Sequence, residues 1–317
     1  MGEKDISEKV LEDYNDVFAD IVNVLLFHGK SYVKEDELEN VKDKSQYKTD
    51  EKLHEQERDV VKLWQKGERN CRIQLAMLGI ENQTGVDRNM IFRVLGYDGA
   101  GYRKQLLDKN NRKRKERYPV ITMVLYFGYK RHWKKRSLYE IMDIPEELRP
   151  YVNDYQLNVF EIAWLSEEQV EMFKSDFKIV ADYFVQMRKN RKYVPSAETI
   201  RHVDEVFKMM RVLAKDINFE EEINRKITEK REKGEEMTMK GFLAEAREEG
   251  IEKGQKNMLI NQVYKKMMKG QEPMEIAEEL VADSSEVQKI YDLIHEELPG
   301  FDVDSICEKL MNIKGAV

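Results

Sequence analysis

Asp59, Glu81 and Gln83 are the residues of this chain best placed to do chemistry. Glu81 and Gln83 close the apolar run "LAMLGIENQ" (Leu75–Gln83). In a strand, residues i and i+2 point the same way, so these two share a face. Asp59 lies 22 residues upstream of Glu81, in "ERDVVKLW". If the intervening turn centres near Asn70, Asp59 and Glu81 are each 11 residues from it and face each other across two antiparallel strands. A tighter turn at Gly67 breaks that pairing. Facing carboxylates repel, and burying them is costly unless a cation joins them. A hard divalent ion with oxygen ligands resolves the conflict, most simply Mg2+, with Mn2+ or Ca2+ as other choices. The backbone carbonyl of Asn82 is placed to complete its shell. Such an ion activates water and stabilises charge at a reacting phosphorus. The plain alternative is two solvated strand ends, and acid–x–amide spacing alone does not separate the two readings.

The elements around these residues follow from periodicity. Residues 10–28 repeat apolar side chains at helical spacing and stop at Gly29. The polar run from Ser31 to Gln56 is expected to be a loop with a short helix. "RDVVKLWQ" and "CRIQLAMLGIENQ" are expected strands, the second apolar on both faces as a central strand is. A helix from Arg88 that ends very basic comes next, followed by a strand in "YPVITMVLYFG". Another strand, in "DYQLNVFEIAWL", precedes helices from Ser166 onward. After Gly270, "EPMEIAEEL" and "SSEVQKIYDLIHEEL" are expected to be two amphipathic helices, with Pro273 at one helix start and Ser285 and Gln288 forming a capping box at the other.

Composition narrows the function classes. The chain has 317 residues, enough for one sizeable domain and a smaller one. It is 36% charged, well above the usual quarter, and 41% hydrophobic. No run of 18 uncharged apolar residues exists, so no membrane partner is expected. The acidic N-terminus lacks the apolar core of a signal peptide, which points to the cytoplasm. Cys71 and Cys307 have no metal-like spacing, and no disulfide framework is suggested.

The net charge of −7 conceals an asymmetry. Arg103–Arg136 carries 13 Lys and Arg against Asp108 and Glu116, whereas Lys215 to the end carries 16 basic and 24 acidic residues. Two basic stretches flank the third expected strand. "NNRKRKERY" supplies Arg112, Lys113, Arg114, Lys115 and Arg117; "YKRHWKKR" supplies Lys130, Arg131, Lys134, Lys135 and Arg136. Clusters this dense suit a phosphate backbone, although solvated loop and helix ends would look the same. Trp133 and Tyr126 read as packed core residues and His132 as a surface histidine. Tyr97 reads as an aromatic on a buried helix face. The acidic C-terminal helix pair would repel a duplex, so it reads as a packing or self-association element rather than a DNA-reading pair.

The order "FADIVNVLLFHGK", "ERDVVKLW", "LGIENQT", "RVLGYD", "YPVITMVLYFG…HW" resembles the recombination-promoting nuclease/putative transposase family of the YhgA-like type, within the PD-(D/E)xK nuclease superfamily. The resemblance covers about residues 13–190, and the tail with "PMEIAEEL…SEVQKIYDLI" is also similar. It implies an α/β fold, a restriction-endonuclease-like mixed sheet flanked by helices and followed by a mostly helical C-terminal region. The expected division is a nuclease-like domain at 13–194, a helical connection at 195–232 and a helical tail at 233–317. It implies a metal-dependent DNA endonuclease of low sequence specificity linked to recombination or mobile elements. Asp59 and Glu81 would be the metal-binding acids, and Gln83 would replace the superfamily's lysine. Arg93 is a candidate to supply the missing charge. Asp20, with Asp16 second, is the candidate for the acid that the superfamily's first helix often contributes. The alternative is a protein of the same fold whose site has decayed and which only binds DNA or a partner.

Overall fold

The computed structural model describes residues 11–41, 44–49, 52–67, 73–107, 117–214, 227, 230–233 and 235–314. Five strands form a mixed sheet in the order β1 (Leu38–Asn40), β4 (Val60–Lys66), β5 (Ile73–Gln83), β6 (Val120–Tyr126) and β7 (Asn158–Glu161). β4 runs antiparallel to β1 and β5, while β5, β6 and β7 run parallel. β5 therefore has a strand on either side, and its residues from Ala76 to Asn82 are buried. From Ala76 to Ile80 this is the continuous apolar run expected of a strand covered on both faces, and Glu81 and Asn82 are buried at its end.

A separate hairpin of β2 (Lys44–Thr49) and β3 (Lys52–Glu57) occupies part of the run expected to be a loop. Hydrophobic periodicity misses it because its strands are almost wholly polar. β1 and a short 3-10 turn at Glu35–Glu37 are the other elements described there.

Helices cover both faces of the sheet. On one side lies α1 (Asn15–Leu25). The helix expected across 10–28 is broken, because a helical turn ends at Glu12 and the chain bends at Asp13–Tyr14. Lys62 of β4 is wholly buried on this face. Its ammonium donates to the Asp13 carbonyl at 2.6 Å and to the Asn40 side chain, 5.5 Å from the centre of the Phe18 ring. Burial lowers its pKa, opposed by Asp13; the used donors make that burial tolerable.

α2 (Met90–Leu107) covers the other face. Gly101 allows the close approach, since a Cβ there would meet Val120 at 3.1 Å and the Met77 sulfur at 3.2 Å. Between α2 and the sheet lies a buried polar network. Arg58 donates to the Thr122 hydroxyl at 3.0 Å and pairs with Asp98 at 3.4 Å. The Thr122 hydroxyl donates to the same carboxylate at 2.6 Å, and the Tyr155 hydroxyl donates to its other oxygen. Arg58 crosses directly over Gly79, where an added Cβ would come within 2.8 Å of Arg58 Cδ. Arg58 cannot yield without leaving Asp98. Gly79→Ala is therefore expected to destabilise the protein by about 1–3 kcal/mol. An unshifted urea midpoint would show that Arg58 moves aside freely.

Past β6 the chain forms α3 (Leu138–Ile141), β7, then α4 (Glu167–Glu171), α5 (Phe177–Asn190) and α6 (Val203–Ala214). Phe177 and Phe184 of α5 close against Phe127 at the end of β6.

The chain divides into two compact units, residues 1–240 and 241–317. The second has its own core. α7 (Met239–Met267), α8 (Pro273–Leu280), α9 (Ser284–Glu297) and α10 (Val303–Lys314) bring together Ile260, Val263, Ile276, Ile290, Ile294 and Ile306. α10 lay beyond the two helices expected, although Val303, Ile306, Cys307 and Leu310 carry the helical period. The cap of α9 is Asp283, whose carboxylate accepts the Glu286 N–H at 2.9 Å, and not the expected Ser285. Among the described residues no helix is long and apolar enough to cross a membrane.

Candidate active site at the end of β5

The β4–β5 register builds the site. Val60 pairs with Ile80 and Val61 with Gly79, a pairing symmetric about position 70, and the shift between Trp64 and Gln65 leaves this half unaffected. One step beyond Val60, Asp59 stands opposite Glu81. The Asn82 N–H donates to Asp59 Oδ2 at 2.7 Å, which ties the carboxylate to the neighbouring strand.

Glu81 is 1% exposed and faces α2. Arg93, in the first turn of α2, reaches it: Nη2 lies 3.1 Å from Glu81 Oε2 and donates to the Tyr97 hydroxyl at 3.2 Å. Its Nη1 pairs with Asp87 at 3.2 Å. The other Glu81 oxygen, Oε1, is buried and has no hydrogen-bond partner among the described residues. Burial, and then the charge of Asp59, push the Glu81 pKa up to about 8, against the opposing pull of Arg93, Tyr97 and Arg58. Burial works against the charge of Arg93, yet Glu81 and Tyr97 hold it protonated beyond its ordinary range. Burial and Glu81 raise the Tyr97 phenol.

The side chain of Asn82 points to the opposite face, as alternation requires. There its Nδ2 donates to Glu12 Oε2 at 2.6 Å, and its Oδ1 is buried with no hydrogen-bond partner among the described residues. Glu12 is wholly buried. It was not among the acids expected from the first helix. Asp20 instead accepts the Lys174 and Ser175 N–H groups, both at 2.8 Å, and so anchors the approach to α5. Asp16 pairs with His202 at 3.1 Å. Gln83 is half-buried on the Glu81 face, and its carbonyl accepts the Phe127 N–H at 2.8 Å. Among the described residues, no three His, Cys, Asp or Glu side chains come together as a group able to hold a metal ion.

Residues 33–218 match the family model described as "Putative transposase, YhgA-like". The chain belongs to this family. No curated protein and no solved structure matches the chain significantly. The YhgA-like span contains the whole five-stranded sheet with Asp59, Glu81 and Gln83, and it begins after Glu12.

The basic residues of this YhgA-like chain divide into distinct groups. Arg112, Lys113, Arg114 and Lys115 lie outside the described residues. Arg117 is exposed before β6, and Lys130, Arg131, Lys134 and Lys135 are exposed on the loop after it. Arg136, expected to meet phosphate, is an internal clamp. It pairs with Glu161 at 2.8 Å and donates to the Trp133 and Val159 carbonyls at 3.2 and 3.1 Å. Trp133 and Tyr126 are buried, and the Tyr126 hydroxyl donates to the Arg131 carbonyl. His132 is exposed but not partnerless: it lies 3.2 Å from Glu161 and against the Trp164 ring. A cleft of about 610 Å³ opens between this loop and the start of α2, with Asp87, the partner of Arg93, in its wall.

Proposed function

We propose that this YhgA-like protein is a metal-dependent DNA endonuclease of low sequence specificity, serving recombination or a mobile element. The observation that carries the reading is Glu81 Oε1, a buried carboxylate oxygen with no hydrogen-bond donor among the described residues, beside a second acid, Asp59. Such an oxygen calls for a proton or a cation. The donor set is all oxygen and suits a hard ion: Asp59, Glu81 and the Asn82 carbonyl would hold Mg2+, or Mn2+ or Ca2+ in its place. Two carboxylates are the usual protein share for Mg2+, with waters and substrate phosphate filling the remainder. When bound, the ion supplies Lewis-acid stabilisation and a more acidic water.

The protein's own residues take the other roles. Glu81 must release the proton that burial favours before it can hold a cation. Gln83, on the same face, positions the attacking water by hydrogen bonding but brings no charge. Arg93, oriented by Tyr97 and Asp87, supplies the positive charge that a lysine at position 83 would have supplied. Arg131, Lys134 and Lys135 hold phosphates, with Arg117 and Lys130 beside them; contacts of this kind carry little base information. The C-terminal unit, with Met258, Met268, Met274 and Val281 exposed, serves self-association.

Nicking of supercoiled plasmid with Mg2+ or Mn2+, and with EDTA as control, tests the assignment. Asp59→Ala is expected to lower the rate by about a hundredfold or more. Absence of metal-dependent nicking, or equal nicking by the variant, overturns it. A second reading has its own support: Arg93 already pairs with Glu81, and Gln83 replaces the lysine. DNA binding without cleavage would establish that non-catalytic reading.

A further inference from the structure

The cleft beside the site has a makeup that phosphate tracking alone does not require. Arg88, Arg131, Lys134 and Lys135 line it, all exposed, and none forms an ion pair with the described residues. Between these cations lies apolar and aromatic surface. Phe92, on the first turn of α2 and next to Arg93, is 48% exposed there. Buried Ile91, Trp133 and Leu157 form the wall behind it. The volume of about 610 Å³ is within the range of small-molecule sites. A paired duplex presents phosphates to such a surface but keeps its base faces stacked within the helix, so it leaves the apolar part unfilled. An unpaired nucleotide brings both components, a π-face for an aromatic side chain and phosphates for a ring of cations.

We propose that this cleft is a nucleotide pocket that takes the base of an unpaired deoxynucleotide against Phe92 and its flanking phosphates on Arg88, Arg131 and Lys134. The proposal rests on the nuclease reading only for the choice of DNA as ligand. It deepens that reading by naming the substrate class: DNA with an unpaired residue, either single-stranded or bulged, next to the bond to be cut. The link to the site is the chain Asp87–Arg93–Glu81, which runs from the cleft wall to the buried acid. A nucleotide seated in the cleft is thus held one side chain away from the catalytic candidate.

The test is fluorescence anisotropy of the full chain in EDTA, so that binding is read without cleavage. The probes are labelled DNAs of about 20 nucleotides: a single strand, a perfect duplex, and that duplex with one bulged nucleotide. The single strand and the bulged duplex are expected to bind about fivefold or more tightly than the perfect duplex. Phe92→Ala should remove that advantage, and Phe92→Trp should retain it, because stacking needs an aromatic face and not a particular residue. Lys134→Ala should weaken all three probes and reduce the salt dependence. Equal binding of the three probes by wild type overturns the proposal. So does an unchanged preference in a Phe92→Ala protein that melts as wild type does. Failure of the nuclease reading looks different: plasmid is not nicked, or is nicked equally by Asp59→Ala, while the preference for unpaired DNA persists.

Discussion

Without metal, the wild-type protein is expected to lose stability as the pH rises from about 4.5 to about 8, and Glu81→Gln is expected to lose much less. In the unfolded chain Glu81 releases its proton near 4.5, whereas burial and the neighbouring Asp59 charge hold it in the folded state up to about 8. Between those limits the folded state binds more protons, so raising the pH favours unfolding. The slope from this one group reaches about 1.4 kcal/mol per pH unit, and several kcal/mol accumulate across the window. Glu81→Gln keeps the shape and removes the titration, so its advantage over wild type should grow toward pH 8. Asp59→Asn should act in the same direction by a different route. It removes the charge that helps raise Glu81 while leaving an oxygen to accept the Asn82 N–H. Thermal melts in EDTA at pH 5, 6.5 and 8 (conditions roughly spanning the window) would decide the matter. Parallel losses by wild type and Glu81→Gln would show that Glu81 is ionised throughout.

Arg58→Ala is expected to destabilise the fold by about 3–5 kcal/mol. The guanidinium is 0% exposed and Asp98 only 8%, so deleting the cation leaves a buried carboxylate facing two hydroxyl donors and no charge. Desolvation has already been borne by both groups, and it is the stranded partner that makes the single deletion severe. Arg58→Ala combined with Asp98→Ala should therefore lose less than the sum of the two single changes, by a margin typical of coupled neighbours, about 0.5–3 kcal/mol. Urea unfolding of the four proteins measures this. Additive losses would mean that Arg58 and Asp98 hold the fold independently. Because Arg58 directly precedes Asp59, the same deletion should also blunt plasmid nicking.

The parts of the site that were legible in the sequence are those that obey a short-range rule. The apolar run ending at Glu81 announced a central strand, and counting equal arms about Asn70 placed Asp59 across from Glu81, as the Val60–Ile80 pairing requires. The i, i+2 rule placed Gln83 beside Glu81. Arg93 was a reasonable candidate because a helix must follow the strand and return along it. What stayed hidden depends on contacts between distant segments. Glu12 lies 70 residues from Asn82, in an acidic stretch where periodicity gave one unbroken helix and no reason to prefer it over Asp16 or Asp20. Nothing in the sequence around Arg58 and Lys62 marks either as buried, and only the approach of Asp98 and Asp13 shows how they are. The β2–β3 hairpin has no apolar alternation to reveal it. Arg136 looked like its basic neighbours until Glu161, 25 residues later, claimed its guanidinium.

Asn82 was first of interest for its carbonyl, but its other two polar groups join the two faces of the sheet. The backbone N–H grips Asp59, and the side-chain amide grips Glu12 on the far side. The site is thus mechanically in series with the segment ahead of α1: a displacement of Glu12 is delivered through one residue to the acid opposite Glu81. That segment precedes residue 33, where the family match begins. Trimming the chain to its matched span would keep every strand of the five-stranded sheet and still remove the carboxylate that holds Asn82 from behind.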